Sequence, residues 1–304
     1  MSALAISPDF RSPAHLAEAL ALLAHGGWQP LAGGTDLYPA HVGRPLRSGL
    51  MDLHSLRALQ GITTTSSPEG GAVLRLGALT TWTDLRETLL PAGLEALSQA
   101  AAEIGGRQVQ NRGTLGGNVC NASPAADGIP VLLALDAMVE LHSASGVRRL
   151  PMADFVLGNR HTARASDELL VAIEVRLPGA RARSAFLKLG HRRFLVISVV
   201  MLAVLVDLDA CGRILHCAIV AGECSVVAQR LHALELRLRG CALAQAPELT
   251  AQWLRRDGNH LLASLAPIDD VRGTARYRLD ALCSLIPRAL AGIGTGDVAG
   301  TMPN

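Results

Sequence analysis

The sequence predicts a protein of mixed α/β class that is divided into two domains. The chain has 304 residues, and about two domains are expected because roughly 100–200 residues per domain is usual. Up to about residue 178, short β-type runs alternate with helical patterns. After residue 185, consecutive β-type runs come first and helical patterns follow them. This change of pattern places the domain boundary in the stretch 178–184.

The first half of the chain alternates between predicted strands and helices. Residues 12–25 predict a helix, because Ser12 is a suitable cap, a proline follows it and leucines recur at helical spacing. Another helix, with Thr81 or Thr83 as its cap, follows the third predicted strand. The Ala, Leu and Glu content of residues 94–104 predicts a further helix. The predicted strands are 28–32, 51–53, 73–77, 138–142 and 169–175.

One segment of the first half, residues 111–127, has no periodic pattern and is rich in glycine, asparagine and serine. It is long for a plain connection, for which about 4–6 residues is usual. Because apolar segments flank it on both sides, we interpret it as a functional loop rather than a disordered one.

The second half begins with a linker, a hairpin and three helices. The linker is the stretch 178–184 (PGARARS), and the turn at 209–213 predicts an antiparallel hairpin. Tyr277 is assigned to the apolar side of the last helix, and the glycine-rich residues 291–304 are predicted to be a flexible tail. The predicted strands are 186–189, 195–208 and 214–221, and the predicted helices are 228–238, 246–254 and 274–290.

The composition argues against several classes of function. The net charge is +2 and aromatic residues make up 3%, so neither a basic field for nucleic acid nor a surface for stacking bases is expected. The longest apolar run, 194–206, is shorter than the ~20 residues of a membrane-spanning helix. No secretory signal is visible, and the six cysteines lack disulfide-framework or metal-ligand spacing. We therefore expect a cytoplasmic protein with reduced thiols and no metal site.

Two glycine-rich loops are the strongest candidates for a binding site. Loop one is residues 32–37 (AGGTDL), and loop two is residues 113–118 (GTLGGN). Successive glycines let backbone N–H groups turn inward around an anion and let a ligand approach closely. Thr35, Thr114 and Asn118 add short donors, so the loops can together hold a pyrophosphate; two ordinary glycine turns are the alternative. No P-loop, HExxH, GxSxG or CxxC motif occurs.

The two loops stand within longer motifs. The chain resembles the FAD-binding subunit of the molybdenum hydroxylase family, which includes xanthine dehydrogenase, carbon monoxide dehydrogenase and 4-hydroxybenzoyl-CoA reductase. The resemblance lies in residues 30–37 (PLAGGTDL) and 107–130 (RQVQNRGTLGGNVCNASPAADGIP). It continues in 186–193 (FLKLGHRR), which is similar to the family's FxKxGxRR strand, and in 270–278 (DVRGTARYR). These motifs follow the family's order from about residue 5 to 290, and their joint occurrence is specific.

This resemblance implies a fold and its domain boundaries. Residues 1–178 would form a vanillyl-alcohol-oxidase (PCMH)-type FAD-binding domain. It would consist of two α/β subdomains, about 1–55 and 56–178, with FAD between them. A smaller C-terminal α/β domain of the CO dehydrogenase flavoprotein type would follow at 185–290.

The resemblance also assigns roles to residues, none of them catalytic. The backbone of loop one would hold the FAD pyrophosphate, and loop two would close on it. Asp127 would accept hydrogen bonds from the adenosine ribose, with a helix cap as the alternative. The full cofactor-binding set would be Leu31, Ala32, Gly33, Gly34, Thr35, Asp36, Leu37, Ile104, Gly113, Thr114, Gly117, Asn118, Cys120, Asp127, Leu170 and Lys188.

Four of these positions concern the flavin end of the cofactor. Ile104 stands where some relatives have an aromatic residue beside the flavin, so ring stacking is lost there. Cys120 would be an apolar contact, and Leu170 would pack near the isoalloxazine ring. Lys188 is the only lysine among 28 basic residues. It would lie near the flavin, where a cation favours the reduced anionic form; a side chain that reaches to solvent is the alternative.

The implied function is electron transfer within a multi-subunit molybdenum hydroxylase. Electrons from a molybdopterin site in a large partner would pass through [2Fe–2S] clusters in a small partner to FAD, and then to NAD or another acceptor. The complex would be a dimer of heterotrimers. One alternative is a scaffold subunit that has lost FAD. Another is the flavin subunit of a 4-hydroxybenzoyl-CoA reductase-like enzyme, from which the chain departs because Cys120 is the only cysteine between Gly117 and Asp154.

Overall fold

The computed structural model describes residues 9–66, 70–192 and 195–296. Its strands are β1 (Phe10–Arg11), β2 (Trp28–Leu31), β3 (Gly49–Asp52), β4 (Ile62–Ser66), β5 (Ala72–Gly77), β6 (Met138–Ser143), β7 (Gly146–Pro151), β8 (Val156–Gly158), β9 (His161–Thr162), β10 (Leu169–Arg176), β11 (Arg183–Leu189), β12 (Val200–Leu208), β13 (Ile214–Gly222) and β14 (Gln229–Arg230). Its helices are α1 (Leu16–His25), α2 (Leu37–Ala40), α3 (Trp82–Glu87), α4 (Glu95–Glu103), α5 (Arg107–Gln110), α6 (Leu115–Asn121), α7 (Gly128–Ala134), α8 (Met152–Phe155), α9 (His232–Leu238), α10 (Ala246–Leu261) and α11 (Ala275–Thr295).

Three sheets carry the architecture of the described residues. The first is parallel, in the order β1-β3-β2, and the second is antiparallel, in the order β4-β5-β10-β6-β7. The third is antiparallel, in the order β11-β12-β13-β14. β8 and β9 form a separate small pair. The mixed α/β class predicted from the sequence is therefore confirmed.

The third sheet lies between two hydrophobic cores. Side chains alternate between the two faces of a strand. Along β12, Met201 and Ala203 belong to the first core, whereas Val200, Leu202 and Val204 belong to the second. Helices α4 and α7 pack on the side of the first core, and α9 and α11 on the side of the second. Burial on both faces of the sheet explains why the sequence of β12 is almost continuously apolar.

The predicted hairpin is confirmed by the pairing of β12 with β13. The carboxylate of Asp209 accepts hydrogen bonds from the backbone N–H groups of Cys211 and Arg213, at 2.7 and 2.9 Å. The backbone N–H of Asp209 in turn donates to the carbonyl of Arg213 at 2.9 Å. The turn is thus closed by its own aspartate, as is common for this residue type.

Helix α1 begins later than predicted. The prediction that Ser12 caps it was wrong, because the first helical residue is Leu16. The Ser12 hydroxyl lies 3.5 Å from that of Ser55. The carboxylate of Glu18 accepts the backbone N–H of Ala14 at 3.0 Å. A side chain from inside the helix therefore binds one of the N–H groups before its first turn.

The prediction that residues 111–127 form a loop throughout was wrong, because α6 lies within them. Thr114 caps this helix by accepting the N–H of Gly117 at 3.0 Å. The N–H groups of Leu115 and Gly116 donate to the carbonyls of Thr80 and Ala78, each at 2.9 Å. Glycine costs about 1 kcal/mol in a helix, and here hydrogen bonds from the neighbouring segment offset that cost.

The second half requires four further corrections. The predicted linker is shorter, since β11 begins at Arg183. Helix α9 begins at His232, not at 228, because residues 229 and 230 pair with β13.

Tyr277 is 48% exposed because it lies five residues from Leu282, which is about 140° around a helix. The predicted tail is helical to Thr295, since Ala289, Leu290 and Ile293 continue the buried face; 297–304 lie outside the described residues.

The structure also bears on two features that the composition argued against, a membrane span and a metal site. Among residues 9–66, 70–192 and 195–296, no helix combines the length and the apolar character that a membrane span requires. The same residues contain no group of three His, Cys, Asp or Glu side chains arranged to hold a metal ion.

The cap of α3 provides a test of the fold. The Thr81 hydroxyl accepts the N–H of Asp84 at 3.1 Å, and the Asp84 carboxylate accepts the N–H of Thr81 at 2.8 Å. Thr81→Ala removes one half of this reciprocal pair, and we expect the free energy of unfolding to fall by about 1 kcal/mol. Urea denaturation measures the change. Thr88→Ala, at the other end of α3, is the control, and equal losses in both variants would contradict the assignment.

Candidate functional site

Loop one follows the end of β2, and most of its backbone N–H groups are not paired within the described residues. Within the described chain, no hydrogen bond uses the backbone N–H of Gly33, Gly34, Thr35 or Asp36 as its donor. Gly34 has a φ of +70°, and a Cβ there would also lie 2.6 Å from the ring of Tyr38. Only glycine fits this position without strain. Loop one therefore presents four consecutive N–H groups, which is the arrangement that binds anions.

Loop two differs from the arrangement predicted for it. Five of its six backbone N–H groups, all except that of Thr114, are bound within the protein. Gly113 donates to Val109, and Gly117 and Asn118 both donate to Thr114. The expectation that both loops offer free N–H groups was therefore wrong for loop two. What this loop offers is a side chain, because Asn118 Oδ1 is buried and has no hydrogen-bond partner in the described residues. A buried unpaired amide oxygen is uncommon and requires an explanation.

The two loops touch through their backbones. A Cβ built on Gly33 would lie 1.9 Å from the carbonyl oxygen of Arg112, which immediately precedes loop two. A Cβ on Gly117 would point back toward loop one, 3.9 Å from the Cβ of Ala32. A cavity of about 400 Å³ adjoins this contact and is lined by residues that include Thr114 and Asp84. The volume lies within the range of small-molecule sites.

A buried ion pair lies at the other end of the candidate site. Lys188 Nζ is 2.8 Å from Asp127 Oδ2, and the two side chains are 5% and 7% exposed. Lys188 also donates to the carbonyl of Glu103 at 3.1 Å, and the Ser198 hydroxyl donates to Asp127 Oδ1 at 2.9 Å. Burial raises the pKa of the Asp127 carboxyl, while Lys188 and Ser198 oppose the rise. Lys188 does not reach to solvent in this structure, so that alternative was wrong.

Most of the predicted site residues fall into two connected groups. Leu31 to Leu37 lie against loop two, and Asn118 lies beside the start of α7, since a Cβ on Gly128 would be 2.9 Å from its Oδ1. Asp127 precedes Gly128 in the chain and is paired with Lys188. It therefore connects the position of Asn118 with that of Lys188. Asp127 occupies the N-cap position of α7, but its side chain makes no capping hydrogen bond.

Three predicted positions lie elsewhere around these groups. Ile104 ends α4, next to the carbonyl that binds Lys188, and its own carbonyl accepts from Gln110 at 3.0 Å. Leu170 is 3% exposed within β10, and Cys120 packs partly against the same first core. Burial raises the pKa of the Cys120 thiol to about 11. The thiol is therefore neutral near pH 7, as an apolar contact requires.

Sequence reasoning did not identify two side chains that contact these groups. Ser198 is fully buried and binds Asp127, and Arg272 donates to the carbonyl of Ser198 at 3.3 Å. A signal for Ser198 existed, because it is the only polar residue in the apolar run 194–206. A hydroxyl buried in such a run needs a hydrogen-bond partner.

The residues present fit the diphosphate of a dinucleotide such as FAD. Four free N–H groups of loop one can bind its negative charge, and Gly33 and Gly117 keep the approach free of side chains. The unpaired Oδ1 of Asn118 is an acceptor, so it suits a hydroxyl or N–H group of the cofactor and not the diphosphate itself. Asp127 and Lys188 would lie toward other parts of the cofactor.

Comparison with known proteins agrees with this geometry. Residues 6–178 match the family model described as the FAD binding domain in molybdopterin dehydrogenase, and residues 185–293 match the CO dehydrogenase flavoprotein C-terminal domain. The chain belongs to the FAD-binding subunits of the molybdenum hydroxylase family. The resemblance inferred from the motifs is thereby confirmed. This flavoprotein subunit is part of an oxidoreductase, and its cofactor is FAD.

Individual relatives cover two thirds or more of the flavoprotein subunit. It is 32% identical over 287 residues to the xanthine dehydrogenase FAD-binding subunit of Escherichia coli O157:H7, covering 93% of this chain and 94% of that protein. It is 33% identical over 212 residues to the nicotinate dehydrogenase FAD-subunit of Eubacterium barkeri, covering 67% and 70%. It superposes on a chain of CO dehydrogenase from Oligotropha carboxidovorans with a TM-score of 0.83 and 27% identity, covering 96% and 99%.

A second set of ion pairs stabilises the flavoprotein subunit near Ser198. Burial opposes ionisation of Asp270, but hydrogen bonds from the backbone and side chain of Arg272, with the charge of Arg278, lower its pKa to about 2. Arg278 is fully buried, and its guanidinium donates to Asp270 Oδ1 at 2.7 Å. Arg272 also binds the carboxylate of Glu223 at 2.6 Å.

We expect Gly33→Ala to separate the two loops, because its methyl carbon would overlap the carbonyl oxygen of Arg112. Overpacking of this kind costs about 1–3 kcal/mol of unfolding free energy. The purified variant should also retain less FAD than the wild type. The flavin-to-protein absorbance ratio and the melting temperature measure both effects. Gly258→Ala is the control, since nothing lies within 4 Å of a Cβ there; an unchanged flavin ratio in Gly33→Ala would contradict the assignment.

We expect Asp270 to make the stability of the folded subunit depend on pH in the acid range. Its pKa is about 2 in the folded protein and 3.8 ordinarily. Its contribution is therefore complete above the ordinary value and is lost as the pH falls from about 4 to about 2. We expect Asp270→Asn to unfold more easily at pH 7 and to lose less stability over that acid interval. Melting temperatures between pH 2 and 7 test this, with the exposed Asp154→Asn as control; parallel curves for wild type and Asp270→Asn would refute it.

Proposed function

We propose that this subunit binds FAD across the two loops and transfers electrons from [2Fe–2S] clusters of a small partner to an acceptor such as NAD. The observation that carries the proposal is the backbone contact between loop one and the residue before loop two. It brings the free N–H groups of Gly33–Asp36, which can bind the diphosphate, close to the segment that carries Asn118. The unpaired Oδ1 of Asn118 can accept a hydrogen bond from a hydroxyl or N–H group of the same cofactor.

The residue roles follow from this placement. Loop one holds the diphosphate through its N–H groups, and Leu31 and Leu37 fix the two ends of that loop. Gly113, Thr114 and Gly117 shape loop two around the same group. Asp127 and Lys188 lie 2.8 Å apart and therefore serve the same part of the cofactor, not the adenosine ribose and the flavin separately. Together with Ile104, Cys120 and Leu170 they form the surroundings of the flavin.

The chain's own contribution is binding and electrostatics. FAD, when bound, supplies the two-electron redox chemistry. Lys188 places a positive charge in a buried position, where its effect on a nearby group is stronger than in water. Asp127 moderates that charge because it is paired with Lys188 at 2.8 Å. The field of this ion pair at the flavin is therefore weaker than that of an unpaired lysine.

The domain organisation that we propose has a FAD-binding domain at 1–178, with subdomains of about 1–55 and 56–178, and a C-terminal domain at 185–290. The parallel sheet falls in the first subdomain and the five-stranded antiparallel sheet in the second. A molybdopterin subunit and an iron–sulfur subunit would complete a heterotrimer, and two heterotrimers would form a cytoplasmic dimer.

The purified chain should be yellow and absorb near 450 nm, as flavins do. FAD released by heating and separated by chromatography should approach one per chain. A colourless protein that does not take up added FAD would refute the proposal and favour a scaffold subunit. Iron bound by the isolated chain would favour the 4-hydroxybenzoyl-CoA reductase-like alternative instead.

A further inference from the structure

A continuous set of polar side chains connects the candidate site with the C-terminal domain. We call it the interdomain cluster. It contains three carboxylates, three cations and one hydroxyl, so its charges balance. Its members are Asp127, Lys188, Ser198, Glu223, Asp270, Arg272 and Arg278. Asp270, Arg272 and Arg278 belong to the motif at 270–278. This motif lies outside both glycine loops and has no role in the site described so far.

The two arginines of the cluster hold the backbone just before β12. Arg272 donates to the carbonyl of Ser198 at 3.3 Å, and Arg278 donates to the carbonyl of Val199 at 2.6 Å. Arg272 is itself fixed by the carboxylates of Glu223 and Asp270, each at 2.6 Å. Two consecutive carbonyl groups are thus fixed by two guanidinium groups that cannot lose their charge.

Glu223 supports this arrangement with a strained backbone. Its φ is +59°, in the left-handed region that a residue with a side chain rarely adopts. Its carbonyl and its carboxylate both accept hydrogen bonds from Arg278, at 3.0 and 3.4 Å. Strain of this kind persists where the surroundings hold a residue in place, and it is frequent at functional sites.

Ser198 is the link between the arginines and the site. It is fully buried, and its hydroxyl donates to Asp127 Oδ1, which leaves Oδ2 for Lys188. The position of its hydroxyl depends on its backbone, which Arg272 holds. A buried ionic cluster is often no more stabilising than apolar side chains of the same size, so stability alone does not account for it.

We propose that Ser198 and Arg272 are positioning residues of the FAD site. Arg272 fixes the carbonyl of Ser198, and the Ser198 hydroxyl then fixes the Asp127 carboxylate in the orientation that pairs with Lys188. This inference rests on the proposed function, because it assumes that Asp127 contacts FAD. The C-terminal domain thereby determines how tightly the first domain holds its cofactor.

A double-mutant cycle on the full chain tests the proposal, with FAD as the titrated ligand. We expect Ser198→Ala to weaken the Kd for FAD about three- to tenfold, because the Asp127 carboxylate is then ordered only when FAD binds. Asp127→Asn should weaken it at least as much. Ser198→Ala should then have no further effect in the Asp127→Asn background, because Ser198 acts only through that carboxylate. Arg272→Lys should weaken the Kd in the same non-additive manner.

Controls separate positioning from folding. Arg276→Lys changes a 90% exposed arginine within the same motif and should leave the Kd unchanged. Melting temperatures without FAD show whether each variant is folded. Wild-type affinity in Ser198→Ala and Arg272→Lys, or losses that add fully to that of Asp127→Asn, would overturn the inference while leaving FAD binding intact. A wild-type chain that does not bind FAD would instead refute the proposed function itself.

Discussion

The four-stranded sheet β11–β14 is buried on both faces, and the remaining structure depends on this constraint. One face completes the core of the first domain and the other completes the core of the second. Because side chains alternate along a strand, the register of β11 and β12 decides which residue faces which domain. A shift by one residue would exchange the two faces completely. The two domains therefore share a sheet, rather than meeting at a surface formed after each has folded.

The same alternation explains where the polar groups lie. On β11, Ala185 belongs to the second core and Phe186 to the first, so Lys188 faces the first domain. A charge at that position must be paired, because an isolated buried ion costs several kcal/mol. Asp127 provides the partner at 2.8 Å. The cluster around Ser198 follows from the same requirement, since each buried charge in it is paired with an opposite one.

The sequence predicted the fold class, the hairpin, most strands and the two glycine loops, since each depends on local patterns. Short-range signals did not predict α6, because its glycines are poor helix formers and its first N–H groups bind Thr80 and Ala78. The pairing of Lys188 with Asp127 was also inaccessible, as it joins residues 61 positions apart in the chain. Ser198 carries a local signal, as a polar residue in an apolar run, but its partner Asp127 lies 71 positions away in the chain. Tyr277 was misplaced because five residues separate it from Leu282, which turns its side chain about 140° away around α11.

The single lysine gives the subunit a useful chemical property. Lys188 carries the only side-chain amine in the chain, and it is held between Asp127 and the carbonyl of Glu103 with 5% of its side chain exposed. Acylating reagents need an accessible, unprotonated amine, so the packed subunit offers them no lysine. Lys188 becomes reactive only when the shared sheet separates from the first domain. The rate of its acylation therefore reports the opening of the interface, much as hydrogen exchange reports local opening of backbone amides.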